Sequence, residues 1–194
     1  MFKKLSTISF PKYQSNLLIN MMPIVFGDKE SIPQYLHGYL PIIDECNLEK
    51  GKLAYLTIHE SFVKANISQR RQGIHTEGTK DFGWGGGDWG GTKFGIYMTN
   101  NDGSCNIWNT LTDDVNGQGQ LLNKPIGESQ IMEANHLYWL TDRTPHEALQ
   151  VKTDTKRQFF RLVSNETSVW WKQHSTPNPL GIQPDCKILT HSKF

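Results

Sequence analysis

The 194-residue chain has no apolar run approaching the 18 or so residues that cross a bilayer; stretches such as Pro23-Ile24-Val25-Phe26 are far too short. A membrane partner is not expected. An excess of charge of one sign is also missing: 20 Lys+Arg stand against 19 Asp+Glu, for a net +1, so no global field exists to hold a polyanion. Nucleic acid is not an expected partner either. Cysteine is scarce, and Cys46, Cys105 and Cys186 are odd in number, far apart and without CxxC spacing, which argues against a disulfide framework or a zinc site. They read as reduced thiols of a cytoplasmic protein. Residues 1–27 carry Lys3, Lys4 and Lys12 and no acid, but they also lack arginine and the apolar core of a signal peptide, so no targeting segment is expected. Repeats and low-complexity tracts are absent apart from a glycine-rich stretch at 83–95.

What remains is an ordinary globular composition, 37% apolar with 17 glycines, in a length suited to one domain. Disorder and fibre are excluded. Helix is a minor expectation, because the one apolar-periodic region, Ile32 to Cys46, is interrupted by Pro33 and Pro41 and can hold only short pieces. From residue 53 onward short aromatic and β-branched segments follow one another: 53–58, 94–98, 106–108, 136–140, 158–163 and 169–171. Gly, Asn, Asp and Pro clusters separate them. The chain therefore reads as a single mainly β domain over 1–194, a β-sandwich or jelly roll. Residues 1–52 form an N-terminal extension whose short helices pack on the barrel, 53–172 the jelly-roll core, and 173–194 a loop-forming tail.

Three pieces of sequence carry chemistry. The first contains His75-Thr76-Glu77, the second His146, and the third Arg157 and Arg161. In extended backbone His75 and Glu77 share a face while Thr76 points away, so one strand can offer two metal ligands. His146 from a distant strand completes two histidines and one carboxylate, a set that leaves open positions on an octahedral ion and suits Fe(II) and oxygen activation. Arg157 and Arg161 are four apart on the next strand and point the same way. A guanidinium inside a barrel is costly without an anion, and a dicarboxylate chelating the metal with one end could reach Arg157 with the other. Such a dicarboxylate is 2-oxoglutarate.

The order His75-Thr76-Glu77, His146 and then Arg157 eleven residues further resembles the Fe(II)/2-oxoglutarate-dependent dioxygenases of double-stranded β-helix (cupin-like) fold, over residues 53–172. With a second arginine at 161 the spacing is similar to the taurine dioxygenase and phytanoyl-CoA hydroxylase branches. Glu77 departs from the common Asp and is similar to clavaminate synthase and asparagine oxygenase. The resemblance implies Fe(II) held by His75, Glu77 and His146, and 2-oxoglutarate anchored on Arg157. It also implies O2-dependent release of succinate and CO2, coupled to oxidation, by default hydroxylation, of a substrate.

Each feature also has a plainer reading. His-x-Glu is common by chance, and the metal assignment rests on the joint order of the three pieces. His59 is the best rival ligand, yet its neighbour Glu60 must point to the opposite face, so the two cannot chelate together. Arg161 is expected to grip the substrate or the co-substrate, with pairing to an internal acid as the alternative. Arg70 and Arg71 precede the metal segment and could bind an acidic substrate group or form a solvated pair. Trp84 and Trp89, set among glycines at 83–91, suggest a lid or aromatic substrate wall, or else a packed loop. The aromatics Tyr138, Trp139, Phe159, Phe160, Trp170 and Trp171 read as core. The expected substrate is a small polar or anionic molecule, with amino acid derivatives among the candidates. Two other functions stay open: a cupin-like metalloenzyme that does not use 2-oxoglutarate, and a non-catalytic jelly-roll module binding an acidic ligand.

Overall fold

The structure, a computed structural model, describes residues 1–78, 95–125 and 127–192. It is mainly β. Eleven strands are defined among the described residues: β1 (Phe2–Thr7), β2 (Leu17–Val25), β3 (Leu53–Val63), β4 (Ile96–Asn100), β5 (Cys105–Trp108), β6 (Ser129–Ile131), β7 (His136–Leu140), β8 (His146–Ala148), β9 (Thr155–Ser164), β10 (Val169–Trp171) and β11 (Lys187–Leu189). One sheet runs β1-β7-β4-β9-β3-β2 and a smaller one β6-β5-β8, both antiparallel, while β10 and β11 form a parallel pair. Helix is limited to 3-10 turns at Lys29–Ser31 and Gln34–Tyr39 and to the short α1 (Leu40–Asp44), which has Pro41 in its first turn. Proline's missing N–H costs nothing there, and it limits helix on its N-terminal side. No described helix is long and apolar enough to cross a membrane.

The extension differs from its expected form. Besides its short helices it supplies both edge strands of the large sheet, β1 and β2. Pro23 and a register shift between Ile19 and Met22 hide β2 in the sequence. Both are tolerated because an edge strand need not donate every N–H to a neighbour.

Side-chain alternation along the long central pair β3/β9 divides the molecule into two cores. Ala54, Leu56 and Ile58 with Phe160 and Leu162 face one way and pack against Leu36, Tyr39, Ile42 and Ile43 of the helical segment. Tyr55, Phe159 and Val163 face the other way and join Ile107 of the small sheet and Met132 beside it. Thr57, His59, Arg157 and Arg161 alternate in phase with this second set, so these four lie on the side of the small sheet. The cavity lined by His75, Glu77 and His146 is on that side. Glu60 goes to the opposite face, as expected, and accepts a hydrogen bond from the Tyr39 hydroxyl at 2.6 Å.

Candidate metal centre and its cavity

His75 and His146 are held together by their own backbones. His75 N–H donates to His146 O at 3.0 Å and His146 N–H to His75 O at 2.9 Å, an antiparallel bridge that sets the two side chains directly across from each other. Their ring centroids are 4.5 Å apart. The His75 Nδ1 lies 2.8 Å from Gly73 O, and the His146 Nδ1 lies 3.0 Å from Thr144 O. A carbonyl can only accept, so each Nδ1 carries a proton, which leaves Nε2 as the ring atom that could bind a metal. Burial, with His146 and Arg71 nearby, keeps His75 far below the usual imidazole range and therefore neutral.

Glu77 completes the set, with Oε1 3.5 Å from His146 Nε2. One ligand atom from each of His75, Glu77 and His146 lies within 4.8 Å of the others. Burial alone would raise the Glu77 carboxyl, but the Arg161 guanidinium, His146 and His75 together hold it well below the usual carboxylate range. Arg161 Nη1 donates to Glu77 Oε1, and its Nη2 donates to Thr57 Oγ1 at 3.3 Å. Two imidazoles and an anionic carboxylate fit a divalent first-row metal.

The sequence suggested a strand through His75 and Glu77. Instead His75 sits on an isolated bridge and Glu77 in a bend, with neighbouring backbone fixing the segment. Thr76 N–H donates to Gly119 O at 2.8 Å, Gly78 N–H to Asp142 O at 2.8 Å, and Leu121 N–H to Ile74 O at 3.0 Å. Gly119 has φ +77, and a Cβ there would come within 2.7 Å of Thr76 O, so this close approach requires glycine.

A cavity of about 310 Å³, within the usual range for small-molecule sites, opens over the triad. Its wall brings together His75, Glu77, His146, Arg157, Arg161, Arg70 and Arg71. Trp84 and Trp89 lie outside the described residues. Arg157 and Arg161 do share a face, with Phe159 between them.

Each of those two guanidiniums has an acid of the protein beside it. Arg157 Nε donates to Asp102 Oδ1 at 3.1 Å and to Ser104 Oγ at 2.7 Å, while Nη1 donates to Gln69 Oε1 at 2.5 Å. Arg161 has Glu77. The cost of burying charge therefore does not by itself demand a ligand at either position. Arg71 Nη1 donates to Gln118 O at 2.9 Å. Arg70 stacks on Phe159, its guanidinium carbon 4.8 Å from the ring centroid. Burial and the neighbouring Arg161 bring Arg70 down to about 9, which leaves it a cation at neutral pH.

Sequence reasoning missed Asp102, Ser104 and Gln69, which become neighbours of Arg157 only through strand pairing. Phe159 is in the core, as expected, and also lines the cavity, a second role that sequence reasoning did not give it. The doublet Phe159-Phe160 contains the signal: adjacent strand residues face opposite ways, and Arg157 and Arg161 share the parity of Phe159. No protein-family model, curated protein or solved structure matches the chain.

Proposed function

We propose that the protein is an Fe(II)- and 2-oxoglutarate-dependent dioxygenase that oxidises a small polar or anionic substrate. The observation that carries the reading is the His75–His146 bridge: both Nδ1 atoms are tied to carbonyls, and both rings share one cavity with Glu77, Arg157 and Arg161. Strand order supports a double-stranded β-helix. The chain passes repeatedly between sheets, so that the run β3-β9-β4-β7 is matched by a run from His75 through β8 and β5 to β6. We read this alternation between two sheets as that of a jelly roll.

His75 and His146 would hold the metal through Nε2, with Glu77, kept ionised and oriented by Arg161, as the third ligand. Arg157, pre-set by Asp102, Ser104 and Gln69, offers a planar fork to the far carboxylate of 2-oxoglutarate. When bound, the metal and co-substrate supply the oxidising chemistry: O2 is reduced as 2-oxoglutarate loses CO2 to give succinate, and the substrate gains one oxygen atom.

Anaerobic loading with Fe(II), followed by 2-oxoglutarate and O2, tests the proposal through succinate formation. The wild type is expected to bind one equivalent of metal and to form succinate, slowly without substrate. His146→Ala should lose both properties, and Arg157→Lys should raise the 2-oxoglutarate requirement by about tenfold or more, because a bidentate pair becomes a point contact. Metal binding without any succinate would overturn the dioxygenase reading in favour of a cupin-like enzyme. Absence of metal binding would leave the acidic-ligand module.

A further inference from the structure

Arg157 and Arg161 have acids beside them, whereas Arg70 has no carboxylate or hydrogen-bond acceptor on its guanidinium among the described residues. The charges of Arg70, Arg71, Arg157, Arg161 and Glu77, with Asp102 behind Arg157, leave two positive charges at this wall. A divalent metal with dianionic 2-oxoglutarate adds no net charge, so the surplus persists in the loaded site.

A second unsatisfied group adjoins Arg70. His59 lies opposite Phe159 in the β3/β9 register, and its buried Nδ1 has no hydrogen-bond partner. Burial, Arg70 and Arg157 push His59 down to about 4, so at neutral pH it is an uncharged ring able to turn an N–H toward an oxygen. Arg157 and Arg161 are buried at the floor of the cavity, while Arg70, on the segment between β3 and His75, stays partly exposed. Arg70 is thus the most solvent-accessible of these three arginines.

We propose that Arg70 and His59, flanking Phe159, form a seat for an oxyanion of the substrate, so that the substrate is a small carboxylate or phosphate-like acid held beside the metal. The inference rests on the dioxygenase reading for what the neighbouring metal does, but the seat itself does not require the metal. Arg70 supplies charge and two parallel donors, His59 one further donor, and the Phe159 face holds the guanidinium in place.

The full-length, metal-free protein is titrated with propionate and, separately, inorganic phosphate at ionic strength held with chloride, while the His59 ring is followed by NMR. The titrations are repeated with Zn(II) and saturating 2-oxoglutarate. One of the two anions is expected to raise the His59 pKa in both forms, because a bound anion favours imidazolium. Arg70→Gln should weaken that binding about tenfold, the loss of roughly one charge-assisted contact, without changing Zn(II) affinity. Arg70→Lys should retain part of it.

Absence of any His59 response in the metal-free wild type would overturn the seat, as would an Arg70→Gln protein that binds like the wild type. A response that disappears once 2-oxoglutarate is bound would overturn the assignment to substrate and give the seat to the co-substrate. Failure of the Zn(II)-loaded wild type to bind 2-oxoglutarate would count against the dioxygenase reading alone, since the metal-free titrations still decide the role of Arg70.

Discussion

Replacing Arg161 with methionine separates the work of the protein from the work of the metal. Glu77 and Arg161 are both buried, with side chains 8% and 4% exposed, so the variant leaves a buried carboxylate without its guanidinium hydrogen bond, and Arg71 and Arg70 are the cations that still act on it. Removing one partner of a buried pair typically costs about 3–5 kcal/mol. The carboxylate can escape by taking up a proton, and the cost of protonating an ordinary carboxyl at pH 7, about 3–4 kcal/mol, caps the loss near the same value. For a chain of this length each kcal/mol moves the melting temperature by about 2–4 °C, so the metal-free variant should melt roughly 6–20 °C below the wild type. A divalent ion supplies a new positive partner to Glu77. The penalty in the loaded protein should then shrink to about 1 kcal/mol, the size of the lost hydrogen bond to Thr57. By linkage, the variant must bind metal at least about tenfold more tightly than the wild type. Calorimetry in chelator and in excess Zn(II) measures both sides of the cycle. An equal drop in melting temperature with and without metal would refute the claim that Arg161 and the metal share Glu77.

Two further outcomes follow from the same geometry. Because folded His59 has its pKa lowered from 6.5 to about 4, the unfolded chain takes up a proton in that window and the folded chain does not, so stability should fall as pH drops from about 6.5 toward 4. Urea midpoints measured against pH should show this slope, and His59→Gln should flatten it; the depressed carboxyl of Glu77 acts in the same direction but below its unfolded value of about 4.5. Gly119→Ala forces a side chain into left-handed backbone at a cost of about 1–2 kcal/mol and pushes on Thr76 O, so it should lower both the melting temperature and metal affinity. Unchanged Zn(II) binding in that variant would show that the Gly119 contact does not position Glu77.

The central strands were legible because their apolar runs are long and flanked by turn residues: 53–58, 106–108 and 136–140 fall within β3, β5 and β7. The edge strands were not. β2 carries Pro23, and the positive φ of Met21 breaks the alternation that a strand reading needs. His75, Glu77, His146, Arg157 and Arg161 could be placed in one cavity from residue order, because His-x-Glu and a pair of arginines four apart are local patterns that the chain displays before it folds. Asp102 and Gln69 have no such signature; an acid in a turn after β4 looks like any solvated acid until Arg157 pairs with it. The same holds for His59, whose relation to Arg70 and Phe159 exists only through the β3/β9 register.

That register also governs how quickly the molecule can be made. β3 and β9 pair from Ala54 with Ser164 to Val63 with Thr155, so the middle of the large sheet joins segments about a hundred residues apart in the chain. Closing such a loop costs chain entropy before any contact rewards it, and topologies dominated by distant pairing fold in milliseconds to seconds rather than microseconds. Until β9 docks, the apolar faces of β3 and the edges of β3 and β4 are open to other chains, and the thiols of Cys46 and Cys105, buried once folding is complete, are accessible to oxidants. The most vulnerable form of this protein is thus the one in which β9 has not yet docked.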